Sequence, residues 1–438
     1  MPEVLQLGVE SGGAAGGGEG GEGGDGESAA AETELAVLLE ATPRAMWSAR
    51  LGLALWVETR RGPASPFATY LAGLPATLSS CLAPAAADTG AVGAAGDGAA
   101  DTGAAGDASA ALAAWPPTAA RAAAMRASLR SHHAQLRRTA TARGADAPTL
   151  SQLQWAAAIA GSRAYRVRGA PGGAEGDAAR LLPIADLANY APTGAGANAE
   201  LRNAPATSAS SEGGSDDPYA VSLYAVDAIP KGGDVLVDYG CGAPLSNERL
   251  LLEYGFVLRP HPHDRLVLPL GAIAVGLAAV AAAEEDDAGG EGDEDGGEAE
   301  AAALGAAQQR LLAQLGDVEA AGLSFGADGA PLDGTLALAL VLTARRAADL
   351  APTAPAELVA AARGADGGAS AAALRARCAL HAVAAEALEQ VVVAMDAAGD
   401  GGGGGGSSCS NGFEEAADLF CESRREILER ACKELARS

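Results

Sequence analysis

The sequence predicts an α+β protein: a β-rich unit with a helical insert, followed by a mostly α-helical unit. Three observations carry this prediction. Short β-type runs broken by turn residues cluster between Arg180 and Gly240, patterns of helical period flank them on both sides, and spacers rich in Gly, Ala and acidic residues divide the chain.

In chain order, residues 1–33 are glycine-rich and acidic, too poor in apolar surface to offset the entropy of ordering, so folded sequence is expected to start near Glu34. Met46 to Leu82 turns helical through LGLALWVETRR and then reads as a loop and turn at PFATYLAGLP. A spacer at 85–110 is expected to be solvated. A helical stretch follows through Trp115, Met125, Leu129 and Leu136, and on to Leu150–Tyr165. Next come RLLPIADLAN, a Gly/Ser/Asn-rich loop at 191–216, and AVSLYAVDAIPKGGDVLVDYG, where strands replace helices. These set the β-rich unit at 34–258. From 259 to 438 the chain reads as helical, with insertions at 284–300 and 399–411. The final segment puts Phe413, Ala416, Phe420, Ile427, Ala431 and Leu435 on one face of a docking helix.

Composition narrows the function. A formal charge of −26 and a pI near 4.5 repel phosphate backbones, and no basic stripe interleaved with aromatics offsets them, which argues against nucleic acid as a partner. The six cysteines form no CxxC pair, which argues against a zinc cluster and a disulfide framework and favours a reducing, intracellular compartment. Chloroplast and cytoplasm are not separated, because the first thirty residues carry neither a transit nor a secretory pattern. Leu266 to Ala283 runs 18 residues without a charge, yet Pro269 and the many Ala and Gly favour a buried strand and core helix over a membrane span. His261, His263 and Asp264 lack a separated third ligand, and His132 and His133 are adjacent on a predicted helix, where solvated surface is the default; no metal is predicted. No phosphate-loop pattern occurs. The oligomeric state stays open.

The chemistry sits in two β-rich stretches. The first reads Pro183-Ile-Ala-Asp186-Leu-Ala-Asn189-Tyr190. The second runs Asp238-Tyr239-Gly240, then Ser246-Asn247-Glu248, then Tyr254-Gly255-Phe256. Upstream stands Ser162-Arg163-Ala164-Tyr165, and downstream HPHDRLVLPL. In that order these resemble the SET-domain protein methyltransferases of the Rubisco large-subunit methyltransferase type, whose motifs read ADLLNHS and YG…SNEELLxxYGF. The resemblance runs discontinuously from about Leu51 to Leu270. The C-terminal half is more weakly similar to the family's helical substrate-binding domain, with SRREILERA like its closing helix.

The resemblance implies a knotted SET domain holding S-adenosyl-L-methionine on one side of a narrow channel and the target lysine of a protein substrate on the other. It makes Tyr239 the catalytic tyrosine, also in contact with the cofactor. Asn189 would hold the cofactor through its amide, with Asp186 and Tyr190 nearby and Arg163 at its carboxylate. Ser162, Tyr254 and Phe256 would line the lysine side. Methyl transfer is an in-line displacement that needs a neutral amine, and a desolvated aromatic channel disfavours the ammonium. The sequence also departs from the family. GGGEGGEGG stands where a GxG cofactor strand belongs, so either the first SET strands are missing or the chain is a non-catalytic, SET-derived binding module. Tyr190 replaces a histidine. No cysteine lies between Phe256 and Cys378, where histone-directed relatives carry a zinc element, so a non-histone substrate is expected. Histidine remains an alternative acceptor to lysine.

Overall fold

The computed structural model describes residues 25–83, 112–167, 178–205, 219–240, 244–274, 276–278, 297–315, 322–345, 347–350, 354–363, 370–400 and 412–436. The spacer at 85–110 lies outside these residues. So do most of 284–300 and 399–411, apart from 297–300, which open the helix Gly297–Leu315, and 399–400, which close the helix Ala371–Asp400. The chain folds as two units, the first including Ala120–Val257 and the second Leu258–Cys409.

The first unit is built on the helices Trp47–Arg61 and Leu150–Arg163. Leu51, Leu53 and Leu55 of the former share a core with Leu153, Trp155 and Ile159 of the latter. The two backbones approach so closely at Gly52 that a Cβ there would lie 2.8 Å from the Ala156 carbonyl carbon. The second helix is started by a capping box, in which Thr149 Oγ1 accepts from the Gln152 N–H and the Gln152 side chain accepts from the Thr149 N–H. Indole N–H groups pin the pair: Trp56 donates to Gln152 Oε1 at 3.3 Å and Trp155 to the Pro75 carbonyl at 3.0 Å. The C-terminal end of this helix delivers Ser162 and Arg163 to the sheet region.

Eight strands are described. In the first unit, β1 (Ala164–Val167) pairs antiparallel with β2 (Ala178–Leu181). A second sheet has the order β3-β6-β4-β5, from β3 (Asn189–Tyr190), β4 (Ala199–Pro205), β5 (Tyr219–Ala225) and β6 (Leu236–Val237). The pairings β3–β6 and β4–β6 are parallel, and β4–β5 is antiparallel. In the second unit β7 (Arg265–Leu268) pairs antiparallel with β8 (Leu323–Gly326). There the helices Asp333–Thr343, Pro355–Arg363 and Ala371–Asp400 pack together. In the helix Gly412–Ala436, Phe413, Ala416, Phe420, Ile427, Ala431 and Leu435 are all buried.

Several elements differ from the sequence expectation. A helix covers Asp25–Glu40, so regular structure begins before Glu34: alanine and glutamate are good helix formers once the glycine run ends. PFATYLAGLP contains a short helix, Ala68–Ala72. The loop expected at 191–216 contains β4, which exists because β5 supplies a seven-residue partner register, information no local pattern holds. His132 and His133 are buried rather than solvated. Nε2 of His132 lies 3.1 Å from Thr42 Oγ1, and Nε2 of His133 lies 3.0 Å from the Pro148 carbonyl. The uncharged run from Leu266 to Ala283 supplies strand β7 and the 3-10 turn Leu270–Ala272. Among the described residues, the helix segment Ala371–Ala397 is the one long and apolar enough to cross a bilayer by length and composition; it packs on the helices Asp333–Thr343 and Pro355–Arg363.

Candidate active site

The parallel pairing of β3 with β6 sets Asn189 opposite Leu236 and Tyr190 opposite Val237, so the two motifs run side by side. Polar side chains stitch this crossing. Asn198 donates from Nδ2 to the Asp234 carbonyl at 2.9 Å and accepts the Leu236 N–H at 2.8 Å. Asp238 accepts from the Thr193 hydroxyl at 2.7 Å and from the Gly240 N–H at 2.8 Å. The chain leaving β6 therefore has a fixed direction, and Tyr239 follows from it.

Tyr239 sits at the centre of a group of aromatic rings. Its centroid is 5.0 Å from Tyr254, 5.2 Å from Tyr190 and 6.1 Å from Tyr165, the last edge-on. Phe256 completes the group, 6.0 Å from Tyr190 and 6.2 Å from Tyr254. These separations are those at which ring pairs attract beyond their buried area. The Tyr239 hydroxyl donates to the Ala188 carbonyl at 2.7 Å, which ties the second motif to the first. Burial raises the Tyr239 phenol above its ordinary value, opposed in part by the Arg163 cation, and Tyr190 is pushed up to about 12 by burial and the Asp238 charge. Both phenols are thus neutral at physiological pH.

Tyr254 and Phe256 owe their places to Gly255. That glycine has φ 79° and caps the π-helical turn Leu250–Tyr254, donating to the carbonyls of Leu250 and Leu251. A Cβ at Gly255 would fall 1.1 Å from the Ser79 carbonyl oxygen. The thiol of Cys81 donates to the Leu252 carbonyl and holds the same turn.

A small pocket of about 10 Å³ opens beside Tyr239, lined by Ser162, Arg163, Ala164, Tyr165, Asp186 and Tyr254. Asp186 is buried. Its Oδ2 accepts from the Tyr70 hydroxyl at 2.7 Å and from Arg163 Nη1 at 3.4 Å, while Arg163 Nη1 also donates to the Asp186 carbonyl at 3.2 Å. Its Oδ1 is buried with no hydrogen-bond partner among the described residues. A buried acceptor left without a partner carries an uncompensated desolvation cost.

The residues singled out in the sequence thus fall into two groups. Ser162, Arg163, Asp186, Tyr239 and Tyr254 meet around the pocket. Tyr190 and Phe256 stand against the Tyr239–Tyr254 rings without lining it, and Asn189 is exposed at the strand pair, its backbone N–H donating to the Val235 carbonyl. Sequence reading missed Tyr70, which lies in a stretch read as loop; its only sequence signal is a tyrosine amid apolar residues. It also missed the Ala188 carbonyl, since a backbone acceptor has no side-chain signature. His261 is buried and its Nδ1 accepts from the His263 N–H at 3.1 Å; among the described residues no group of three or more His, Cys, Asp or Glu could hold a metal.

The order of the motifs and the parallel pairing of their strands define the SET fold. That fold is the one found in Rubisco LSMT. The structure of the SET domain of LSMT bound to MeLysine and AdoHcy superposes with a TM-score of 0.52 at 15% identity, covering 94% of this chain and 79% of that one. Rubisco LSMT bound to AdoMet gives 0.52 at 14% identity over the same shares. So does Rubisco LSMT bound to Sinefungin and Monomethyllysine. No family model and no curated protein matches the sequence.

Proposed function

We propose that this chain is an S-adenosyl-L-methionine-dependent protein methyltransferase whose acceptor is a lysine of a non-histone protein. The observation that carries the reading is the position of Tyr239, neutral and central in an aromatic group, at the edge of a pocket that Asp186 and Arg163 also line. LSMT structures with the same fold contain MeLysine with AdoHcy, Monomethyllysine with Sinefungin, or AdoMet, which supports a cofactor and an acceptor of these kinds here.

The residues present fit both ligands. Asn189 is exposed and its side-chain amide is unengaged among the described residues, so it can both donate to and accept from the amino-acid end of the cofactor, with Tyr190 next to it. When bound, S-adenosyl-L-methionine supplies an electrophilic methyl group on a sulfonium, which keeps the bonding pair as the methyl leaves. On the acceptor side, the Asp186 carboxylate would stand in the pocket wall beside the lysine nitrogen. A bare carboxylate would favour the ammonium; Arg163 and Tyr70 on Oδ2 temper its charge, while Tyr239, Tyr254 and Tyr165 exclude water and favour the neutral amine. The sequence assigns Arg163 and Asp186 to the cofactor; their place around the pocket with Ser162 and Tyr254 supports the acceptor side for Asp186. Positioning of this kind is a large contribution that a rigid site makes to a displacement.

Titration calorimetry with S-adenosyl-L-methionine tests the first half of this reading, and saturable binding is the expected result. No binding would favour a non-catalytic SET-derived module. Mass spectrometry of the modified peptide tests the second half: a methyl group on lysine is expected, and one on histidine would replace the acceptor.

A further inference from the structure

Next to the small pocket lies a larger cleft of about 590 Å³, and Arg163 lines both. Its walls are mostly apolar, with Phe67 and Leu74 on one side and Leu182, Ile184 and Leu187 on the other. Two of these are exposed far beyond what folding requires, Ile184 at 73% and Leu187 at 66%. Ile184 also holds φ 75° and ψ −49°, a conformation that strains a β-branched residue. The loop between β2 and β3 thus presents two large apolar side chains at the rim of a cavity of ligand-site size.

The chemistry of the walls decides what enters. A nucleoside would bring ribose hydroxyls and ring nitrogens, which lose their hydrogen bonds to water against Phe67, Leu74, Leu182 and Leu187. Of the polar groups in the lining, the Tyr70 hydroxyl and Arg163 are already directed at Asp186. An apolar side chain meets no such penalty. A lysine that reaches Tyr239 through the small pocket belongs to a polypeptide whose neighbouring residues must lie over the pocket mouth, and the cleft shares Arg163 with that pocket.

We propose that this cleft docks an apolar side chain of the substrate polypeptide close in sequence to the acceptor lysine. The proposal rests on the methyltransferase reading and adds to it a preference for an apolar neighbour.

Two synthetic peptides of equal length and charge provide the test, each with one central lysine, flanked by leucines in one and by serines in the other. In fluorescence anisotropy the leucine peptide is expected to bind the full-length protein about tenfold more tightly, the scale of discrimination by an apolar pocket. Leu187→Glu should abolish that difference and leave calorimetric affinity for S-adenosyl-L-methionine unchanged. Ile184→Gly, which relieves the strained backbone and so preserves folding, should weaken the preference as well. Equal affinity for the two peptides, or a preference that survives both substitutions, would overturn the proposal. Loss of cofactor affinity in Leu187→Glu would overturn it in favour of the cofactor as occupant, and a parent dimer that the variant lacks would do so in favour of a second copy of the chain. If the parent binds no cofactor but shows the peptide preference and its loss in the variants, the docking site stands and the methyltransferase reading falls.

Discussion

Each unit of this protein buries an aspartate beside an arginine and a hydroxyl, and the two aspartates are treated differently. In the second unit, Asp264 Oδ2 accepts from Arg424 and, at 3.0 Å, from the Ser423 hydroxyl, while Oδ1 accepts the Arg265 N–H at 2.9 Å. Arg424 also donates to the Arg265 carbonyl and places its guanidinium 4.5 Å from the Phe420 ring centroid. Both carboxylate oxygens are used, and the group joins the last helix to β7. In the first unit, Asp186 has the same kind of partners, Arg163 and Tyr70, but both converge on Oδ2 and leave Oδ1 buried without a hydrogen-bond partner. Each network leaves one buried polar atom without a partner among the described residues, Arg424 Nε in the second unit and Asp186 Oδ1 in the first, so the difference lies in the carboxylates: that of Asp264 is fully engaged and that of Asp186 is not.

The comparison can be broken most forcefully from the side of Arg424. Arg424→Met leaves Asp264 buried without its cation and should cost about 3–5 kcal/mol of stability, read as a lower midpoint in urea unfolding. A loss under 1 kcal/mol, on the scale of an ordinary surface substitution, would remove the structural role assigned to this pair.

Gly255→Ala comes next. It adds a Cβ against the Ser79 carbonyl at a left-handed position, and backbone strain alone should cost about 1–3 kcal/mol, with displacement of Tyr254 and Phe256 lowering methyl transfer too. Thermal unfolding and turnover, measured on one preparation, check both effects.

Asp186→Asn sharpens the contrast. An asparagine oxygen can still accept from Tyr70 and from the partly solvated Arg163, so stability should change by about 1 kcal/mol, while methyl transfer falls roughly tenfold as the pocket wall loses its charge. A stability loss as large as that of Arg424→Met would make Asp186 structural after all.

The smallest effect concerns His132, whose pKa is lowered by burial and then by His133. Thr42 Oγ1 donates its hydrogen to the Leu38 carbonyl at 2.7 Å, so it accepts from His132 Nε2–H. With the folded pKa below the unfolded value of about 6.5, the unfolded chain binds the proton first. The contribution of the buried neutral ring is therefore present above about pH 6.5 and lost as pH falls through that value toward the folded pKa. Thermal midpoints should drop between about pH 7.5 and 5.5, and His132→Gln should flatten the slope.

The motif strands were legible because turn residues and apolar runs fix β3, β6 and the Tyr254–Phe256 turn locally, and because motif order carried the fold. What could not be read depends on partners distant in sequence. β4 is a strand because β5 and β6 pair with it. Tyr70 matters only because the fold brings it to Asp186. The burial of His132 and His133 is invisible in a helix so rich in alanine that its faces barely differ. Within the site, the sequence supplied the residues around Tyr239, but the lack of a partner at Asp186 Oδ1 is a property of geometry alone.

In the proposed function Tyr239 directs a methyl group from S-adenosyl-L-methionine to a protein lysine. Incubation of the full-length protein with a cell extract and methyl-labelled cofactor, in parallel with Tyr239→Phe, tests it most directly. The substitution removes one hydroxyl and keeps the ring packed against Tyr190 and Tyr254. Label should enter protein lysines with the parent and fall by about a hundredfold or more with the variant, the scale of a lost catalytic hydroxyl. Equal labelling by the two proteins, or none by the parent, would contradict the account.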